Sequence, residues 1–530
     1  MHLFASPTGG RRGRNAALRS RTPVTRCLAA AGVALAALVA APAAHAADLQ
    51  ATPSNFATVF SGAQAGDTIH LATGSYGTFR GGLKPAPGVT LQPADAANVT
   101  MALDFDPASN ITLRGIQNIT DADIDGAQTN HISIVASYFS GQTILRTSHL
   151  ANAAILLDHD VFGPFDKCST CYEGRVQLAG RTSAPSGITI QNSKFGPGGN
   201  ADGIQNGSNG TVIQNNEFTG LKQISGDSVH VDPIQLYGSQ NTVIRNNWIH
   251  GNAVASSIMA PDDLDHEQFL NNVMDQPVGS DTRTLNMGGD NGSVVRHNTL
   301  VGSIMLKADK TSVASRLGVL RDNVVTQGIS IIDGSTIADR AYNLGAAMSG
   351  LNELAGQPTF LAGTAHPSTV AGYALALTSL GKASASDGAD RGADVSNVGP
   401  QGPPPGPGQA TTTTPTPSPT PSPTPNPTPT PTPTTTLPAP TAAFTWSPTA
   451  PRVLQVVHFD GRGSSCAAAP CTYSWADDGP DGPGGTQWPL GSGQTLDFTF
   501  SGAGIKRVRL TVKDAQARKA TIEHDVVVSR

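Results

Sequence analysis

The sequence predicts an all-β protein: a solenoid of stacked parallel coils, then a charge-free stalk, then a small β-sandwich. Three observations predict the solenoid. A six-residue block, apolar-x-(Asn/Asp/His/small)-(Asn/Ser/Asp)-x-apolar, recurs as Ile190–Phe195, Ile213–Phe218, Ile244–Ile249, Phe269–Met274, Val295–Leu300 and Leu320–Val325, with weaker copies from Ile134 and Leu157. Successive blocks start 23, 33, 23, 31, 25, 26 and 25 residues apart. A period in the twenties, built from short strands and Asn/Gly turns, belongs to a parallel coil whose neighbours share one core, because a single coil cannot bury its own apolar face. Asn at a fixed place in each coil suits a turn that tolerates left-handed backbone and a ladder of side-chain amides.

The ends of the chain read differently. Residues 1–46 carry six arginines and no acid, then an Ala/Leu/Val run from Leu28 that ends at Ala44-His45-Ala46. This is the pattern of a cleaved export signal, which predicts a secreted or cell-surface protein with no membrane insertion after cleavage; an uncleaved anchor is the alternative. Without that segment the net charge falls from −5 to −11. Residues 47–440 hold 19 Lys/Arg against 31 Asp/Glu, which argues against nucleic acid as a partner and requires any acidic ligand to meet a local basic cluster. Cys168/Cys171 and Cys466/Cys471 read as two short-loop disulfides, consistent with export. A zinc site would need a second ligand pair near Cys168-x-x-Cys171, and the sequence has none there.

The mature chain divides into 47–400 (solenoid), 401–440 (linker) and 441–530 (small domain). Asn55 to Gly62 is predicted as a short entry helix with Phe56, Val59 and Phe60 on one face. Ala65–Leu71 follows as a strand. The stretch Gly66-Asp-Thr-Ile-His-Leu71 with Gly74-Ser-Tyr76, together with the Asn-Asn blocks and the closing stretch around Tyr373, Ser379 and Asp387 to Gly399, resembles the pectate-lyase-like superfamily. That resemblance covers about residues 50–400 and implies a right-handed parallel β-helix. Its motifs are specific for the fold and weak for the reaction. Residues 401–440 contain no charge, only a Pro/Thr/Ser/Gly-rich run, and should form an extended stalk of roughly 120 Å at about 3.1 Å per residue. Beyond it, alternating apolar residues predict strands at 443–446, 456–459, 473–475, 496–500, 508–512 and 526–528, a β-sandwich. Phe459-Asp460, Tyr473-Ser-Trp475, Gly504 and Val508–Asp514 resemble the PKD (polycystic-kidney-disease-type) module. Trp475-Ala-Asp-Asp-Gly479 departs from that module's usual pattern. The resemblance implies spacing or surface contact rather than chemistry.

A second strand follows each repeat block. Val176–Leu178, Ile204–Asn206, Ile234–Leu236, Ile258–Ala260, Leu285–Met287 and Ile304–Leu306 align, so one outward column reads Gln177, Gln205, Gln235, Met259, Asn286, Met305. The next outward position gives Tyr237 and, three coils on, Lys307. Asp202, Asp232, Ser256 and Arg283 stand at the strand entries. Insertions at 165–174, 220–230 and 307–316 border the strip and bring Arg175, His230 and Lys310, and long loops on a regular scaffold are where function tends to sit.

This set suits β-elimination on a uronic-acid polymer, which needs the substrate carboxylate neutralised, a base for the adjacent C–H proton and an acid for the leaving oxygen. The expected catalytic residues are Lys307, Arg283 and His230. The expected substrate contacts are Gln205, Gln235, Tyr237, Asn286 and Arg175, and Asp202 with Asp232 would hold Ca2+. The partner expected is an extracellular polysaccharide, met by a monomer. Each residue also has a bland reading: a structural amide ladder for the Gln column, backbone capping for the two Asp, a solvated loop side chain for Lys307. Two carboxylates could also serve glycoside hydrolysis, but no Gly-Asp-Asp run is present. A non-catalytic carbohydrate-binding or adhesion protein is the alternative function.

Overall fold

The computed structural model describes residues 46–530 except 151–152, 168–172, 181–185, 225–229, 276–282, 403–438, 453–454, 467–470, 478–487, 501–503, 515, 517 and 530. The expected export signal, most of the linker and the Cys168/Cys171 pair lie outside the described residues. The chain forms two compact units divided between Pro415 and Thr416.

In the first unit each block does what its two apolar ends require. Both can point inward only if the chain turns between them, and a residue in the left-handed region makes that turn. Ala136, His159, Asn192, Asn215, Asn246, Asn271, His297 and Asp322 all have φ between 50° and 59°. Asn and Asp tolerate this conformation through local side-chain hydrogen bonds. The residue after each is buried and builds a ladder. Asn247 Nδ2 donates to Asn272 Oδ1 at 3.0 Å and to the Ile213 carbonyl at 2.9 Å, while Asn247 Oδ1 accepts the Asn216 amide at 3.0 Å. The same pattern runs through Asn298, Asn323 and Asn343. Towards the N-terminus it continues as Asn216, Ser193, Asp160 and Ser137. The two tasks expected of one Asn are thus split between neighbours.

The coils stack in register. All eight block starts from Ile134 to Leu320 pair in chain order within a 13-stranded parallel sheet that begins at Asp48–Ala51. A second sheet forks at Asn118–Ile124, whose start pairs with Tyr138–Phe139 and whose end pairs with Thr143–Leu145. The result is three faces per coil around one core. Phe139, Phe162, Phe195 and Phe218 stack within it, ring centroids 4.5, 4.7 and 4.6 Å apart, close to the spacing of neighbouring strands. The entry helix Phe56–Gly62 buries Phe56 and Phe60 against Phe79, closing the first coil. This is the parallel β-helix the repeat predicts.

The closing segment runs back along the coils. Tyr373, Phe360, Leu375 and Val398 cover Val273, Val301, Val324 and Leu344. Its polar atoms meet the outward side chains of the left-handed residues: Asp387 pairs with His297 at 2.8 Å, the Asp394 carbonyl accepts Asn271 Nδ2 at 3.1 Å, and Asn215 Nδ2 reaches the Asn397 carbonyl at 2.8 Å. It ends with the Gln401 carbonyl 3.0 Å from His159 Nε2. The stretch before the linker therefore leaves the first unit at the His159 coil, not at the last coil.

The second unit has two antiparallel sheets. One joins Thr445–Ser447, Val456–Asp460 and Thr495–Thr499. The other joins Trp488–Ser492, Thr472–Asp477, Gly504–Lys513 and Lys519–Val528. Phe444, Val457, Phe459, Trp475, Val508, Leu510 and Val526 fill the space between, as the alternation predicts. The Trp475 indole donates to the Gly493 carbonyl at 2.8 Å, and Cys466 and Cys471 form a disulfide.

Candidate functional site

The six aligned strands form one ladder on the third face of the β-helix. Gln177 pairs with Gln205, Gln205 with Gln235, Gln235 with Met259, Met259 with Asn286 and Asn286 with Met305, so the outward column exists as read from the sequence. Its polar members are nonetheless almost wholly covered, with Gln205 and Gln235 at 8% exposure and Asn286 at 3%. They form the floor of the strip.

At the entry end the two aspartates cap backbone. Asp202 Oδ1 accepts the Asp232 amide at 2.8 Å, and Asp232 Oδ1 accepts the Ser256 amide at 2.9 Å. This is the capping role a turn residue can have. It does not use all their atoms: Asp202 Oδ2 is buried with no partner, and Asp232 Oδ2 lies 2.6 Å from His230 Nδ1. The bond to Asp232 lifts the His230 imidazole to about 9, so it is cationic at neutral pH. Burial, reinforced by the neighbouring Asp232 charge, pushes Asp202 well above the usual carboxylate range. Burial also pushes Asp232 up, against the pull of His230. Two buried carboxylates sharing one cation cannot both stay ionised cheaply, and Asp202 is the one without a counter-charge in contact.

Beside them, Gln205 Nε2 donates to Glu173 Oε2 at 2.9 Å and also to Gln235 Oε1. Glu173 was not expected at the site; its only sequence signal was its place at the end of the 165–174 insertion. Tyr237 folds back across Gly207, where an added Cβ would lie 2.7 Å from the ring. Its hydroxyl accepts from Gln177 Nε2 at 2.9 Å and donates to the Leu178 carbonyl at 3.3 Å. Burial raises its pKa, so it keeps its proton. Tyr237 also lines a cavity of about 450 Å3 with Gly180, Gly238, Asp262, Asp309 and Lys310. Lys310 is tied to Asp262 at 2.8 Å, an ion pair the sequence did not reveal.

Further along the strip, Arg283 Nη1 lies 3.9 Å from Met305 Sδ, so the guanidinium folds over the next coil. Asn286 Nδ2 donates to Met259 Sδ at 3.3 Å, and its Oδ1 is buried without a partner. Lys307 follows Met305 by two residues on the same strand and is half-buried. The ladder thus carries two groups, one of Glu173, Gln205, Gln235, Asp202, His230 and Asp232, the other of Arg283, Asn286 and Lys307, with Met259 between.

Arg175 does not join either group as a free contact. It is 1% exposed, and its guanidinium donates to the carbonyls of Phe165 at 2.8 Å, Pro197 at 3.0 Å, Asp202 at 3.3 Å and also Ala201. A residue expected to meet substrate instead pins the inserted loop at Phe165 to the 197–202 stretch through its two Nη atoms, because a buried guanidinium seeks acceptors locally.

The donors also bear on calcium. Calcium takes six to eight oxygens. Three of the four oxygens of Asp202 and Asp232 already have protein partners, and the third nearby side chain, His230, offers nitrogen. The described residues here do not fit a calcium cage.

No protein-family model matches the chain, and no curated protein matches it. Solved structures do. A PL6-family alginate lyase aligns at 16% identity and a TM-score of 0.40, covering 62% of this chain and 57% of its own. A mannuronic-acid-specific family 6 lyase from the human gut microbiota aligns at 11% identity and a TM-score of 0.27, covering 57% and 70%. A carbohydrate-binding module of the β-sandwich superfamily aligns at 24% identity and a TM-score of 0.15, covering 17% and 34%. The chain thus spans about a third of the module-containing chain and under three-fifths of the alginate lyase.

Proposed function

We propose that this chain is a secreted polysaccharide-active protein that cleaves a uronic-acid-containing polysaccharide by β-elimination. The observation that carries the reading is the placement of Arg283 and Lys307 on adjacent strands of one face, with the guanidinium folded over Met305, two residues from Lys307. A guanidinium matches a carboxylate in shape and charge. In the proposed step Arg283 neutralises the substrate carboxylate, which acidifies the neighbouring C–H. The Lys307 amine takes that proton, the C–O bond to the leaving sugar breaks, and a C=C bond forms in the ring. Water returns a proton to the leaving oxygen, because the Tyr237 hydroxyl is turned towards Gln177 and Leu178, whose strand is five strands away from that of Lys307. Cationic His230, held by Asp232, supplies positive charge to a second carboxylate about 10–15 Å away, two or three strand spacings along the ladder.

This charge placement supports a polymer with carboxylates repeated along the chain, as in pectins, alginates and glycosaminoglycans. Export by residues 1–46, the domain limits 47–400, 401–440 and 441–530, and a PKD-like spacing role for the last domain belong to the same proposal, as does a monomeric state. The test is incubation of the full chain with a panel of uronate polymers, reading new ultraviolet absorbance from unsaturated ends. Arg283→Ala and Lys307→Ala should each lower the rate at least about a hundredfold. Wild-type rates in both variants would move the chemistry elsewhere. If no polymer is cut, the covered amide floor, which resembles a binding surface as much as a catalytic one, favours the carbohydrate-binding or adhesion reading.

A further inference from the structure

We propose that Asp202, His230 and Asp232 form a binding site for a divalent transition-metal ion, with zinc as the probe, rather than for calcium. Each of the three side chains brings one donor atom within 4.8 Å of the others. In a zinc-type site, with bonds of about 2.0–2.2 Å, donors stand roughly 3–4 Å apart. The observed separations need only small side-chain rotations, chiefly the opening of the 2.6 Å His230–Asp232 contact.

Two features point to an ion and not to a simple capping array. Asp202 Oδ2 is buried without any partner, although its sister oxygen is fully used as a cap. A carboxylate that had only to cap a neighbouring coil could have been Ser or Asn, as it is at Ser193 and Asn216 in the turn ladder. The second feature is the donor mixture. Two carboxylates and one imidazole, fixed by backbone amides from successive coils, match the preference of zinc, manganese and their neighbours for mixed nitrogen and oxygen ligands. The amides of Asp232 and Ser256 hold the two carboxylates in orientation from behind. His230 is the exposed member, which gives an ion a route in from solvent. Glu173 stands close enough to act electrostatically on both Asp202 and His230, adding negative charge at the rim.

Binding of the ion is independent of the lyase reading. Only its role depends on it: an ion here would take over from His230 the neutralisation of a substrate carboxylate.

The test uses untagged full-length protein, stripped with chelator and dialysed against Zn2+, Mn2+ or Ca2+ at pH 7, with bound metal counted by mass spectrometry. The proposal expects one equivalent of zinc, held at least tenfold more tightly than calcium, and a rise in Tm on loading. Asp202→Asn and His230→Ala should each weaken zinc at least tenfold while leaving the circular dichroism spectrum unchanged. Should either variant fail to fold, His230→Gln, at the exposed position, replaces it. Unchanged stoichiometry and affinity in the variants would place the zinc elsewhere among the histidines and overturn the proposal. So would calcium binding more tightly than zinc, or no stoichiometric metal at all. Activity enters none of these readouts, so loss of the lyase reading leaves the result standing.

Discussion

A buried side chain in this fold is judged by whether its polar atoms are matched, and two residues make the point with opposite sign. Asn247 is fully buried and completes four hydrogen bonds, two of them to main chain. Asn247→Leu removes them all and strands the Asn216 amide and the Ile213 carbonyl. It should cost about 3 kcal/mol in chemical denaturation, since a buried unsatisfied polar group carries its full desolvation penalty. Glu267 stands at another turn, accepting from the Ser239 hydroxyl at 2.8 Å and from the Thr242 amide. Burial lifts its carboxyl from 4.5 to about 8, with the nearby Asp290 charge adding to the lift. Its folded pKa is therefore above its unfolded value. The stability it contributes is complete below about pH 4.5 and is lost as pH rises through about 8. Glu267→Gln keeps the acceptor without the charge, so the fall in Tm between pH 5 and 8 should flatten in that variant. An unchanged slope would assign the fall to another group.

At the scale of elements, the coil is specified by pairs of adjacent residues with different duties. The second residue of each pair faces in and forms the ladder; the first, left-handed, faces out and, from His159 onward, meets the closing segment. Asn271 shows it: Nδ2 donates to Asn246 Oδ1 at 2.9 Å and to the Asp394 carbonyl, while Oδ1 accepts the Asp394 amide at 2.6 Å. The closing segment is thus held by side chains the repeat supplies once per coil. Its charged anchor is Asp387, whose carboxyl is held well below the usual range, chiefly by His297. A depressed carboxylate adds stability above its unfolded pKa and loses it as pH falls through the folded value. Asp387→Ala should therefore speed hydrogen exchange at the Ser386 and Gly392 amides at least about tenfold at pH 7, with the Asn247 amide unaffected. Equal protection in the variant would mean that the apolar contacts around Tyr373 and Val398 hold the segment alone.

For the whole molecule, two units with separate cores should unfold separately. Calorimetry of the full chain should resolve two transitions, and light proteolysis should release a stable fragment near 441–530 while the β-helix survives. A single cooperative transition would show that the two cores are coupled. Circular dichroism should be dominated by β-structure, because the described residues contain one seven-residue α-helix.

The repeat alone determined the coil, its register and the outward column, because each follows from strand periodicity and a fixed turn, both local in sequence. The sandwich strands were legible for the same reason, except Trp488–Ser492, where Pro489 and Gly491 interrupt the alternation. The sequence could not show what depends on distant segments meeting. It did not reveal the return of residues 360–401 along seven coils, nor the burial of Arg175 against four carbonyls. It did not place Glu173 beside Gln205, and it did not show that Asp232 would be shared between a Ser256 amide and His230. These contacts join residues whose sequence separation carries no pattern, and whether a charged side chain faces water or a ring of carbonyls is decided only when the coils stack.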